Sequence, residues 1–196
     1  TLRAANNLNV NGSISDGFNG TGTSAAISTG DSWSYRFVSG ADMHSADVMN
    51  TLPSVMDSTG NSTSGNLTLA DNVLVRTGTG DIGIATGGDL VMSNERSVIY
   101  TAGVEAAELP GFTLPVNAQR PLYLDNGGDI TLNVRGNING AENDNRQVIN
   151  QWLFRQAGNT QLKDASWWIR NDQFRQSLGA LAGGDVTIHA GGGIAK

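Results

Sequence analysis

Short runs of alternating apolar and polar residues recur along the chain, and a turn signal introduces each of them. The phrase Gly-Gly-Asp-apolar-x-apolar begins at Gly87, Gly127 and Gly183, and looser copies begin at Gly65 and Gly80. Alternation over three to five residues predicts a strand with one buried face, and Gly, Asn and Asp favour tight corners between strands. Because one such unit cannot cover its own apolar face, the recurrence predicts units that stack on one another.

The spacing of two corners predicts a coil with three sides. Asp89 follows Asn66 by 23 residues, and three strand runs occupy that interval. Equivalent strands of successive coils would pair in parallel at about 4.8 Å. The sequence therefore predicts an all-β fold, a parallel β-helix (solenoid) of about five coils. Residues expected in its narrow interior are Leu67, Leu69, Ile82, Ile84, Leu90, Met92, Ile130, Leu132, Val186 and Ile188.

Three segments depart from the strand pattern, and we interpret them as insertions at coil corners of one domain spanning 1–196. They are residues 31–62, 104–121 and 142–179. The first begins with an aromatic strand and continues into a possible short helix over 45–56. The second contains three prolines and is predicted to be an irregular loop.

The third insertion is predicted to be helical. Ile149, Trp152, Leu153 and Gln156 fall on one helical stripe. A second helix is plausible over 164–178, where Phe174 and Leu178 have i, i+4 spacing. We expect both helices to decorate the side of the coil.

Composition narrows the range of functions. Charged residues make up only 15%, against about 25% in typical soluble domains, and glycine is abundant at 26 of 196 residues. With a net charge of −6, the chain lacks the positively charged surface that binding to nucleic acid or to an anionic membrane requires. No apolar stretch approaches the roughly 20 residues of a membrane span. Cysteine is absent, and the chain begins at Thr1 without a signal peptide, so we interpret it as a piece of a longer polypeptide.

Several phrases of the chain resemble the filamentous haemagglutinin family, the very large bacterial exoproteins of two-partner secretion. They are SWSYRFVSGAD at 32–42, GTGDIGIA at 78–85, SVIYTAG at 97–103, WLFRQ at 152–156, WWI at 167–169 and FRQSLGALAGGDV at 174–186. The similarity is greatest to an uncharacterised conserved region in the rod of such exoproteins. The resemblance implies a right-handed parallel β-helix, export through an outer-membrane pore partner, and attachment to surfaces. The resemblance implies no catalytic residues.

The corner acids Asp89, Asp129 and Asp185 are expected to occupy equivalent positions. Stacked carboxylates would repel one another, and Ca²⁺ would relieve that repulsion with oxygen ligands. The favoured interpretation is that each acid caps its own corner by accepting hydrogen bonds from backbone N–H groups. The two histidines, His44 and His189, form no credible metal set, and alternation places His189 on the outside of its strand. We therefore expect no metal and no cofactor.

A candidate partner surface lies in the third insertion. It comprises Trp152, Trp167, Trp168, Arg170 and Arg175, whose side chains are of the types that concentrate binding energy at interfaces. The favoured alternative is that the tryptophans attach the insertion to the side of the coil.

The expected function is that of a non-enzymatic, structural and adhesive segment of a secreted or surface-attached bacterial exoprotein. Its partners would be the outer-membrane pore, for the full-length protein, and a receptor or glycan on a host or neighbouring cell. One alternative is a carbohydrate-active β-helix enzyme, although neither Asp125 with Asp129 nor Asp42 with Asp47 makes a convincing carboxylate pair. Another alternative is the stalk of a contact-dependent competition protein.

Overall fold

The computed structural model describes residues 1–20, 22, 25–105, 124–141, 151–156 and 166–195. This part of the chain is all-β. In chain order its strands are β1 (Leu2–Ala4), β2 (Leu8–Val10), β3 (Ile14–Ser15), β4 (Tyr35–Ser39), β5 (Leu67–Leu69), β6 (Leu74–Thr77), β7 (Ile82–Thr86), β8 (Leu90–Met92), β9 (Val98–Thr101), β10 (Val104–Glu105), β11 (Leu124–Asp125), β12 (Ile130–Val134), β13 (Ile138–Asn139), β14 (Leu153–Gln156), β15 (Ser166–Ile169), β16 (Leu178–Ala180), β17 (Val186–Ala190) and β18 (Ile194–Ala195).

Most of the strands belong to three parallel sheets, which the chain visits in a fixed cyclic order. The first sheet has the order β1-β4-β7-β12-β17, the second β2-β5-β8-β13-β18, and the third β3-β6-β9-β16. Every neighbouring pair within them is parallel. Leu67 of β5 pairs with Leu90 of β8, which confirms the predicted interval of 23 residues. This arrangement is consistent with a parallel β-helix-like fold.

The space enclosed by the three sheets is a single apolar core, most of it aliphatic. Its buried residues are Val10, Phe37, Leu67, Leu69, Val73, Val75, Ile82, Ile84, Leu90, Met92, Ile99, Ile130, Leu132, Val134 and Ile138. Eight of the ten predicted core residues are among them. Val186 and Ile188 are not, because β17 pairs with β12 on one side only, and they remain 43% and 38% exposed.

Two series of polar side chains cross the coil corners, and each connects one coil to the next. The first series lies at the corners that precede the strands of the second sheet, where each side-chain oxygen accepts a hydrogen bond from the backbone N–H of the equivalent corner in the next coil. The pairs, acceptor first, are Asn7 with Asn66 at 3.0 Å, Asn66 with Asp89 at 2.7 Å, Asp89 with Asn137 at 2.6 Å and Asn137 with Gly193 at 2.8 Å. The second series lies at the corners that precede the strands of the first sheet. Its pairs, side-chain acceptor first and backbone donor second, are Ser34 with Asp81 at 3.0 Å, Asp81 with Asp129 at 2.9 Å and Asp129 with Asp185 at 2.8 Å. Such bonds satisfy backbone donors at corners, where strand pairing is interrupted.

These corner bonds correct two expectations about the acids. Asp89 precedes a strand of the second sheet, whereas Asp129 and Asp185 precede strands of the first, so the three positions are not all equivalent. The carboxylates of Asp89 and Asp129 cap the backbone of the following coil, not their own corner. The reason is the parallel stacking, which places the next corner's N–H directly beside each side chain.

The predicted insertions also need correction. The aromatic strand at 31–62 is β4, a full member of the first sheet, so the excursion from the coil begins only after it. Residues 45–56 form turns, with an isolated antiparallel bridge between Ala41 and Thr51, and no helix. Most of the predicted loop at 104–121 lies outside the described residues, although β10 pairs antiparallel with β11.

The helices predicted in 142–179 are wrong for the residues that the structure describes there. β14 and β15 pair antiparallel as a hairpin, and Asn171–Gln173 form one short 3-10 turn. Cross-strand pairing, for example Phe154 with Trp168, satisfies the backbone that we expected to bond within a helix. Residues 142–150 and 157–165 lie outside the described part of the chain.

Candidate functional site on the outer faces of the sheets

The outer face of the third sheet is covered by a second apolar cluster, distinct from the core inside the coil. Its buried members are Leu74, Val98, Tyr100, Ala102 and Phe174. Side chains from outside the sheet pack against it, and we call these together with Phe174 the outer layer: Phe18, Ile27, Trp152, Phe174 and Leu181. Two separate excursions of the chain, one near residue 20 and one near residue 174, therefore close over the same face.

Aromatic edge-to-face contacts hold the outer layer together. The ring of Phe174 lies 5.6 Å from Tyr100 and 5.1 Å from Trp152, and Phe18 lies 6.2 Å from Tyr100 on the other side. All three pairs are near perpendicular, which is the geometry that favours attraction between ring edge and ring face. The rings are consequently packed, and a pocket of about 280 Å³ lies beside them, lined in part by Leu74, Phe174 and Arg175.

A fully buried arginine lies beneath the outer layer. Arg76 donates from Nε to the hydroxyl of Ser15 at 2.8 Å and from Nη1 to the hydroxyl of Tyr100 at 3.0 Å. Its Nη2 donates to the carbonyl oxygens of Gly20 and Gly22, and the guanidinium lies 3.8 Å from the ring centre of Phe18. These contacts compensate for the cost of removing the charge from water.

Burial raises the pKa of the Tyr100 hydroxyl above its ordinary value of 10.0, and the charge and hydrogen bond of Arg76 oppose that shift. The net direction is upward because ionisation would place a phenolate in the apolar outer layer. Tyr100 is accordingly a neutral structural side chain at physiological pH.

The residues of the predicted partner surface do not share one environment, since a tryptophan packs in the outer layer and the two arginines lie beside acids. Trp152 is half-buried in the outer layer against Phe174. Trp167 and Trp168 lie in β15, and their side chains are outside what the structure describes. Their grouping with the two arginines as a binding surface stays a prediction.

The two arginines of that surface each contact an acid. Arg170 donates to the carboxylate of Asp172 at 2.8 Å. Partial burial acts to raise the pKa of Asp172, but hydrogen bonds from Arg170 and Gln173 outweigh it and lower that pKa. Arg175 lies 3.5 Å from Glu95.

The outer face of the first sheet is different, because only part of it is covered. Residues 41–51, here called the side loop, pack there through Met49 against Val38, Ala41 and Ala85. Arg135 of the coil anchors the end of the loop, donating from Nε to the Thr51 hydroxyl at 2.9 Å and from Nη2 to its carbonyl oxygen at 3.0 Å.

Internal hydrogen bonds fix the shape of the side loop. Asp42 accepts from the side chain of Asn50 at 3.2 Å and from the backbone N–H of His44 at 3.0 Å. Arg3 of β1 donates to the carbonyl oxygen of Asp42 at 2.8 Å. The loop is thus attached to the coil at both of its ends.

Beside the side loop, the sheet surface is open and forms a cleft of about 730 Å³. The cleft is lined by Asp47, Met49, Asn50, Thr51, Ala85, Asn133, Val134, Arg135, Ile188, His189, Ala190 and Gly191. Asn133 of β12 and His189 of β17 are direct partners in the parallel register and form its floor. The cleft is shallow and open to solvent on one side.

Alternation along the strand predicts that His189 lies on its outer side, and the exposure of His189 in the cleft agrees with that position. The cleft itself was missed. The sequence gives one indication that Asn133 is exposed there, because it is a polar residue at an outward position of an alternating strand. The side-loop residues carried none, because their position depends on how residues 41–51 fold back over the sheet.

Within the described residues, no group of three or more His, Cys, Asp or Glu side chains is placed to hold a metal ion. Among those same residues, no helix has the length and apolar character that crossing a membrane requires. Comparisons with protein-family models, with curated proteins and with solved structures returned no match.

Proposed function

We propose that this chain is a segment of a right-handed parallel β-helix rod that belongs to a secreted or surface-attached bacterial exoprotein and serves attachment. The observation that carries the proposal is the parallel pairing that runs through all five strands of the first sheet. Right-handed crossovers are by far the commonest connection between parallel strands of one sheet. A stack of this kind is stiff along its axis and presents long lateral surfaces.

The corner bonds support the same proposal. Each coil presents side-chain oxygens at the positions where the next coil places its backbone N–H groups, as Asp89 does for Asn137. A chain with this pattern stabilises each added coil by nearest-neighbour contacts. In a longer polypeptide exported through an outer-membrane pore, such contacts would let the rod form coil by coil at the cell surface.

The excursions from the coil support an attachment role for the sides of the rod. One side is closed by the outer layer, and the other carries the side loop and the cleft. Among the described residues that line the cleft, Asp47 is the single carboxylate, whereas glycoside hydrolysis ordinarily uses two. The geometry therefore adds no support for the enzyme alternative.

An attachment assay tests the proposed function. Beads coated with the purified chain are incubated with cultured epithelial cells and with bacteria, and retained beads are counted after washing. We expect retention well above that of albumin-coated beads, and we expect the Leu67→Asp variant to lose it, because a charge inside the coil prevents stacking. The chain is also incubated with acidic and neutral polysaccharides. Absence of retention on every surface contradicts the proposal, and release of new reducing ends would favour the enzyme alternative.

A further inference from the structure

The floor of the cleft consists of two polar side chains with unused hydrogen-bonding capacity. Asn133 and His189 lie side by side on adjacent strands, and neither side chain has a hydrogen-bond or ion-pair partner among the described residues. A carboxamide offers a donor and an acceptor, and an imidazole offers two ring nitrogens that can take part in hydrogen bonds. A ligand group that also donates and accepts, as a hydroxyl does, matches both of them.

The wall of the cleft is held in place before any ligand arrives. Met49 is packed against the outer face of the sheet, and Thr51 is fixed by its two hydrogen bonds from Arg135. Asn50 is fixed by Asp42. A site on rigid strands with an anchored wall loses little conformational entropy on binding, which favours affinity for a small ligand.

The charges in the cleft balance. Asp47 and Arg135 are the acidic and basic side chains of the lining. Arg135 already uses Nε and Nη2 on Thr51, and Asp47 accepts from the backbone N–H of Met49 at 2.9 Å. Neither sign predominates, so the cleft has no excess charge with which to select an anion or a cation.

We infer that this cleft binds a short neutral oligosaccharide. Its hydroxyl groups would meet Asn133, His189 and Asp47, and the C–H face of a sugar ring would lie against the apolar surface that Met49 and Ala190 contribute. Because the cleft is open on its solvent side, a chain of a few sugar rings can lie along it without being enclosed. This inference rests on the proposed function, for which it names the class of ligand and the place where it binds.

The experiment begins with an array of neutral and acidic oligosaccharides probed with the full chain, followed by titration calorimetry of the neutral oligosaccharide that binds best. We expect neutral compounds to bind in preference to acidic ones, with a Kd that changes less than about twofold between low and high salt. Asn133→Ala and His189→Ala should each weaken binding by about tenfold, because each removes a side chain that bonds the ligand. The double variant should abolish measurable binding.

The same two strands provide matched controls. Thr131 and Thr187 are also partners in register and are exposed on the same face, but they do not line the cleft. Thr131→Ala and Thr187→Ala should leave the Kd within about twofold. Urea unfolding of all variants should coincide with that of the parent, because the four side chains are exposed.

Several outcomes would overturn the inference: no neutral oligosaccharide binds, acidic ones bind better, or binding survives in the double variant. Failure of the inference and failure of the proposed function can be distinguished. If beads carrying the double variant still attach to cells as the parent does, the cleft is not the attachment site and the rod function stands. If the chain binds a free oligosaccharide but attaches to no surface, the cleft inference stands and the attachment function fails.

Discussion

Two of the three sheets have outer faces bordered by excursions of the chain, and these excursions are attached in different ways. On the third sheet, the outer layer is held by buried aromatic rings around Tyr100 and Phe174. On the first sheet, the side loop is held chiefly by hydrogen bonds, such as those from Arg135 to Thr51 and from Arg3 to the Asp42 carbonyl. The apolar attachment covers much of its face and leaves only a smaller pocket of about 280 Å³ beside Leu74 and Phe174, whereas the polar attachment leaves the neighbouring sheet surface open as a cleft.

This difference indicates how one coil can be both stable and available for binding. Aromatic packing extends the hydrophobic core onto one side, which adds to the apolar area that the narrow interior buries. Hydrogen bonds at a loop's ends fix its shape without covering the polar residues beside it. Stability and recognition are therefore expected to respond to substitutions on different faces, and the following predictions test that separation.

The largest expected effect is the loss of a ring from the outer layer. Phe174 is buried against both Tyr100 and Trp152, so Phe174→Ala should lower the free energy of unfolding by about 3–5 kcal/mol. Urea titration followed by circular dichroism and tryptophan fluorescence measures the change. Thr187→Ala, an exposed position on the first sheet, is the matched comparison and should stay within about 0.5 kcal/mol. A loss below about 1 kcal/mol for Phe174→Ala would mean that the outer layer does not stabilise the coil.

A smaller effect is expected from ionisation of Tyr100 at alkaline pH. Burial raises the pKa of its hydroxyl above 10.0, so the folded state holds this proton more tightly than the unfolded state. The stability that Tyr100 contributes is therefore fully present below pH 10 and is lost as the pH rises through the folded-state pKa. We expect the free energy of unfolding of the parent to fall above pH 10.

The Tyr100→Phe variant removes the titrating hydroxyl and retains the ring, but it also removes the acceptor of a hydrogen bond from Arg76, so the slopes of the alkaline decline are compared and not the absolute free energies. Its alkaline decline should be shallower than that of the parent. Tyr35, whose pKa is also raised by burial, is less buried than Tyr100, so Tyr35→Phe should alter the decline less. Equal slopes for the parent and Tyr100→Phe would show that the outer layer does not oppose ionisation of this group.

The all-β fold and its parallel strand pairing could be predicted from the sequence because their signals are local and repeated. Alternation in runs such as Ile82–Thr86 identified strands, and the interval from Asn66 to Asp89 set the register. Each copy of the pattern reinforced the others, since stacked equivalents must share one inward face. The corner acids were misassigned because Gly-Gly-Asp occurs before strands of two different sheets, and short phrases do not distinguish those corners.

The excursions could not be predicted as well, for a physical reason. Trp152, Leu153 and Gln156 share a helical spacing with Ile149. The conformation of Leu153–Gln156 is nevertheless decided by pairing with β15, and the position of Trp152 by contact with Phe174, 22 residues further along the chain. The cleft depends similarly on Thr51 meeting Arg135 across 84 residues of chain. Such tertiary contacts override local propensity and leave no periodic signal.

The smallest expected effect concerns the polar side of the comparison, in the turn that follows the side loop. Oδ1 of Asp57 accepts from the backbone N–H of Thr59 at 2.8 Å, from its hydroxyl at 2.7 Å and from the N–H of Asn61 at 2.9 Å. The Thr59 hydroxyl is the largest of the causes that lower the pKa of Asp57 to about 2. Because the pKa is lowered, the order that this carboxylate gives the turn is present above its ordinary value of 3.8 and is lost as the pH falls through about 2.

Nuclear magnetic resonance can follow this titration through the amide signals of Thr59 and Asn61, which should shift together with a midpoint near pH 2. Thr59→Val should move the midpoint upward, towards 3.8, because it removes the hydroxyl donor and retains the backbone donors. Signals from the outer layer, such as the Trp152 indole, should not follow this midpoint, since aromatic packing holds that side. A midpoint near pH 3.8 in the parent would show that Asp57 does not organise the turn. The contrast between the first sheet, bordered by hydrogen-bonded loops, and the third sheet, covered by packed rings, would then depend only on the hydrogen bonds that anchor the side loop.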